Sequence, residues 1–86
     1  MDKKDLREIL IKENFKPSAY SLNDAIKDEA LCLRKDDRGW YVFYSERGLQ
    51  TAKQYFESES DACEFFVDEM RDDPTTKENW KSGFNM

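Results

Sequence analysis

The feature that most constrains this chain is the run Trp40, Tyr41, Val42, Phe43, Tyr44, five consecutive aromatic or β-branched residues with no charged position among them. A strand without a polar side needs cover on both faces, so the run predicts an interior strand of a sheet packed from two directions. Turn residues bracket it, with Asp36, Asp37, Arg38 and Gly39 before it and Glu46, Arg47 and Gly48 after it. Residues 30–35 alternate, placing Leu31 and Leu33 on one face and Ala30 and Cys32 on the other. Residues 49–56 carry Gln50, Lys53 and Gln54, the polar pattern of an edge strand. The expectation is a three-stranded antiparallel β-meander over 30–35, 40–45 and 49–56.

A helix is expected on either side of the meander. Residues 2–14 place Leu6, Ile9 and Leu10 on one stripe with charges elsewhere, and Pro17 stops the helix. Residues 16–29 read as a loop anchored by Tyr20, Leu22 and Ile26. The second helix, 58–71, opens on Ser58 and Asp61 at capping-box spacing and closes at Asp72, Asp73 and Pro74. Its buried stripe is Ala62, Phe65, Phe66 and Met70, helped by Cys63 and Val67. Residues 75–80 have room for one more helical turn, Trp80 and Phe84 are candidates to pack back, and 74–86 is the segment expected to be flexible. The order α-β-β-β-α defines an α+β fold in one domain over 1–86.

Eighty-six residues suffice for one small core. Aliphatics are sparse, so the twelve aromatics must carry much of the packing. No apolar run approaches the roughly 20 residues that span a bilayer, and residues 1–5 lack the apolar stretch of a signal peptide. The expectation is a soluble, cytoplasmic protein with no membrane association. Cys32 and Cys63 read as buried reduced thiols, although a disulfide between them is geometrically open.

Catalysis is disfavoured by residue type. The chain has no histidine, which removes the commonest general base and the usual partner of a nucleophilic serine or cysteine. Two thiols alone do not close a zinc site, and the scattered glycines form no phosphate loop, so neither metal nor cofactor is expected. A small hydrolase using carboxylates and a metal is the weakest alternative. The aromatics of 40–44 suggest a base-stacking platform, but the net charge of −5 and the lack of a basic cluster beside them argue against direct nucleic-acid binding.

The acidic distribution is more informative. Glu57, Glu59, Asp61, Glu64, Asp68, Glu69, Asp72 and Asp73 face a single cation, Arg71, so residues 57–73 carry a charge of −7. One account is a solvated helix face that serves solubility. The other is a docking surface for a basic protein, since a concentrated negative field speeds encounter with a positive partner.

A resemblance supports the second account. At Tyr20, Ser21, Leu22, then Glu29, Ala30, Cys32, Leu33, then Trp40, Val42, Tyr44, Ser45, Glu46, Arg47, Gly48, and finally Phe56, Ser58, Glu59, Ala62, Cys63, Glu64 and Phe65, the chain resembles small bacterial immunity proteins. These accompany polymorphic or contact-dependent growth-inhibition toxins. The chain departs from the pattern at Asn23, Asp24, Ala25 and Ile26, where a glycine-rich segment with a proline is usual. The resemblance implies stoichiometric neutralisation of a cognate C-terminal toxin domain, often a nuclease. The turn Ser45–Gly48 has two readings, a hairpin turn with Gly48 at positive φ or a second contact.

The expected function is therefore that of a monomeric immunity protein, not an enzyme, with partner-binding residues Glu46, Arg47, Glu57, Glu59, Asp61, Glu64, Asp68 and Asp72. The alternative is an acidic protein-interaction module of phage or mobile-element origin that acts on a host protein, or that dimerises through Trp80 and Phe84.

Overall fold

The computed structural model describes residues 1–22 and 27–77. The expectations placed on Ile26, Trp80, Phe84 and the end of the tail lie outside them. Helix α1 spans Lys3–Lys12, strand β1 Tyr20–Ser21, β2 Ala30–Asp36, β3 Gly39–Glu46, β4 Leu49–Phe56 and helix α2 Glu59–Asp72. Short 3-10 turns occupy Pro17–Ala19 and Pro74–Thr76. Among the described residues no helix is long and apolar enough to cross a membrane.

The sheet corrects the expected meander. Among the described residues it has four strands in the order β1-β2-β3-β4, antiparallel throughout the last three but parallel between β1 and β2. Tyr20 lies opposite Leu31 and Ser21 opposite Cys32. Two residues are too few to show alternation, so nothing periodic announces β1 within 16–29. Its lock is a side chain from β2: Arg34 donates from Nη1 to the Ser21 carbonyl at 3.2 Å and from Nη2 to Ser21 Oγ at 3.0 Å.

The aromatic run forms an interior strand as expected, but only Val42 and Phe43 are buried, while Trp40, Tyr41 and Tyr44 are half-buried. β3 lies between β2 and β4, and its centre is buried from both sides. Val42 pairs with Leu33 on the helical face, where both join Leu6, Leu10, Phe15, Ala62, Phe66 and Met70 in one core. Phe43 pairs with Cys32 on the other face, and both are fully buried. There Tyr41 stacks on Phe43 with centroids 5.7 Å apart and meets Tyr55 of β4 at 5.1 Å. Lys53 Nζ sits 4.5 Å from the Tyr41 ring centroid, so the outer face mixes rings with cations.

Each hairpin follows from its turn chemistry. Arg47 and Gly48 both take positive φ, 51° and 81°, the two-residue geometry that matches strand twist. Gly39 opens β3 at φ 127°, where a Cβ would stand 2.9 Å from the Phe56 carbonyl oxygen. β4 carries one extra residue between the Val42 and Tyr44 pairings, with Ala52 at φ 53°, so this edge strand is bulged.

The helix ends depart slightly from the sequence reading. α1 stops at Lys12, and Asn14 at φ 63° reverses the chain before Pro17 is reached. The complete capping box belongs to α1, through Asp2 and Asp5, whereas Ser58 supplies only half a box to α2 by accepting from the Asp61 amide at 3.0 Å. Cys32 and Cys63 are both free and lie on opposite sides of the sheet, which closes the disulfide option.

Candidate functional site

The apolar stripe of α2 turns inward, and that fixes which carboxylates face out. Ala62, Cys63, Phe66, Val67 and Met70 are buried, while Asp61, Glu64, Asp68 and Asp72 are exposed. Spacings of three, four and four residues put these four carboxylates on one line along the helix. Glu57 is exposed two residues before the helix begins.

Two of the charged residues near the stripe are committed elsewhere. Glu59 is half-buried, and its Oε2 accepts the Lys3 amide at 2.9 Å, so it satisfies the start of α1 rather than facing solvent. Arg71 donates from Nε to Glu13 Oε1 at 3.1 Å and from Nη2 to Oε2. The Arg71 hydrogen bonds hold the Glu13 carboxyl below its ordinary value. The one cation of α2 is thereby turned toward α1 and largely neutralised, which leaves the field of the stripe negative.

Glu46 and Arg47 sit at the opposite end of β4 from Glu57 and do not join that line. The Arg47 amide donates to Asp28 Oδ1, which brings the β3–β4 turn beside the Asp28–Glu29 turn. Near this turn, at the C-terminal end of α2, lies an open cavity of about 330 Å³. Leu31, Tyr44, Ala19 and Met70 line it together with Lys16, Glu29 and Asp73. Desolvation raises the Tyr44 phenol pKa, and the carboxylates of Glu29, Glu46, Asp73 and Asp28 raise it further. Sequence reasoning missed this cavity because its walls come from five separate segments whose approach only the folded chain creates.

No group of three potential metal ligands forms among the described residues. Burial pushes both thiols away from reactivity, raising Cys32 and taking Cys63 to about 11. No family model matches the chain, and neither a curated protein nor a solved structure does so.

Proposed function

We propose that this chain is an immunity protein that neutralises a cognate bacterial toxin domain, a basic nuclease, in a stoichiometric cytoplasmic complex. The observation that carries the reading is the line Asp61, Glu64, Asp68 and Asp72, exposed on one face of a helix whose sole cation is clasped by Glu13. Such a surface accelerates encounter with a positive groove and repels nucleic acid, so it competes for a nuclease without binding the substrate. Glu57 extends the surface, while Glu46 and Arg47 contribute at the far end of the sheet. Glu59 supports the contact through its hold on α1. The protein makes and breaks no bonds in this role and needs no cofactor.

The test is binding to the toxin domain encoded beside it, with Glu64, Asp68 and Asp72 each changed to Lys. The wild-type chain is expected to form a one-to-one complex that abolishes toxin activity and weakens as salt rises. The triple variant is expected to fold, to bind at least about a hundredfold more weakly and to lose that salt dependence. Unchanged affinity in a folded triple variant removes this face from the interface. Absence of any complex removes the immunity reading.

A further inference from the structure

The cavity at the C-terminal end of α2 combines three properties that point to one kind of guest. Its volume, about 330 Å³, lies at the small end of the range for ligand sites and admits a long side chain with room beside it for water. Leu31, Ala19, Met70 and Tyr44 give it an apolar and aromatic lining, while Glu29 and Asp73 stand in its wall. Asp28 and Glu46 act on the same phenol from beyond the wall, so four carboxylates converge on the field around Tyr44. Among the described residues Lys16 is the only cation in the lining, and its backbone amide donates to the Thr76 carbonyl at 2.6 Å to close one side. Among the described residues the Tyr44 hydroxyl makes no hydrogen bond within the chain. Asp73 already accepts from the Thr75 amide and hydroxyl through Oδ1, which leaves Oδ2 for a guest.

We infer that this cavity receives an arginine side chain projected by the basic partner protein, with the guanidinium between Glu29 and Asp73 and its stem along Leu31, Tyr44 and Met70. Arginine is favoured over lysine because its planar group stacks on an aromatic ring and bonds two carboxylates at once. The inference rests on the reading that the partner is a basic protein, and it adds an anchoring point to a surface that otherwise acts through its field. A flat acidic face gives rate, whereas a pocket that holds one arginine stem against Leu31, Tyr44 and Met70 gives residence time.

The experiment uses the isotopically labelled full chain and small probes, so it does not need the toxin. N-acetyl-arginine amide is titrated while backbone amide shifts are followed, with N-acetyl-lysine amide and N-acetyl-citrulline amide as comparisons. Saturable shifts are expected at Leu31, Tyr44, Met70, Thr75 and Thr76 with arginine, weaker ones with lysine and none with citrulline. The double variant Glu29→Gln, Asp73→Asn retains the Asp73 acceptor for Thr75 and is expected to weaken the arginine response about tenfold. Glu29→Gln alone, at an exposed position, gives a smaller loss in the same direction should the double variant unfold. An arginine response that never saturates, that citrulline reproduces, or that maps to Asp61, Glu64 and Asp68 overturns the inference. Those results leave the toxin-binding test untouched, and loss of toxin binding leaves a saturable arginine pocket standing.

Discussion

Arg71 reaches back 58 residues in sequence to clasp Glu13 with two hydrogen bonds, from Nε to Oε1 at 3.1 Å and from Nη2 to Oε2. The pair fastens the C-terminal turn of α2 to the end of α1, where Glu13 follows Lys12. It also determines how stability responds to acid. The Arg71 hydrogen bonds lower the folded pKa of Glu13, so its contribution is fully present above the ordinary glutamate value near 4.5 and is lost as pH falls through the depressed value. Urea unfolding of the wild type and of Glu13→Gln is expected to differ by a constant amount near neutrality. That difference is expected to shrink as pH falls below about 4.5, and a gap that widens in acid contradicts the account.

The two turn glycines predict unequal damage. Gly39 stands at φ 127° with the Phe56 carbonyl oxygen 2.9 Å from where a Cβ would lie, whereas Gly48 at φ 81° opens into free space. Gly48→Ala meets only backbone strain, on the order of 1 kcal/mol. Gly39→Ala adds a clash with main chain that cannot swing aside, and is expected to cost about 2 to 3 kcal/mol. Chemical denaturation of both variants checks the ranking, and an equal loss shows that the Phe56 contact relaxes freely.

The contrast between these glycines and β1 shows what the chain discloses in one dimension. Gly39, Arg47 and Gly48 announce turns because turn geometry is local, and the run from Trp40 to Tyr44 announces an interior strand because its residues need apolar cover on two sides. The inward stripe of α2 and its acidic outer line follow from spacing alone. By contrast, β1 forms by pairing with β2, where Arg34 also crosses to Ser21, the Ala52 bulge forms because β4 accommodates β3, and the Tyr44 cavity because five segments meet. Glu59 resembled its acidic neighbours in sequence, and only the approach of Lys3 gives it a structural duty. Contacts between distant segments are what pattern reading cannot supply.

Arg34 therefore yields a local prediction. Arg34→Met removes the bonds to Ser21 while keeping much of the side-chain stem. A hydrogen bond from a charged donor contributes about 1.5 to 3 kcal/mol, so exchange at the Tyr20, Ser21 and Leu22 amides is expected to quicken by about tenfold or more. Protection in α2 from Ala62 to Met70 is expected to persist. Equal loss in both places shows that β1 opens only with the whole fold.

The thiols report the same opening. Cys32 and Cys63 have no solvent exposure, and burial holds the Cys63 thiol up to about 11. Neither is expected to react with an alkylating reagent near pH 8 except through unfolding, so both label at one rate that rises with denaturant. Rapid labelling of Cys32 alone shows that the outer cover of the sheet opens independently of the helical face.

Asp72 offers the sharpest separation between a solubility face and a binding face. It is the last residue of α2, where the helix dipole presents its negative end, and Asp68 lies one turn back on the same line. Both relationships are unfavourable to the free protein, by about 0.3 to 1 kcal/mol for the dipole and about 0.2 to 0.5 kcal/mol for the like pair. Solubility alone is served by a carboxylate anywhere on the surface, so it gives no reason to place one where it destabilises its own helix. A binding surface does give a reason, because the charge is positioned for the partner. Asp72→Lys is accordingly expected to raise thermal stability by about 0.5 to 1 kcal/mol while weakening the toxin complex. Thermal unfolding and titration calorimetry on the same preparation read both quantities. Stabilisation with unchanged affinity assigns Asp72 to the solvent, and loss of affinity without stabilisation shows that the helix end is already compensated.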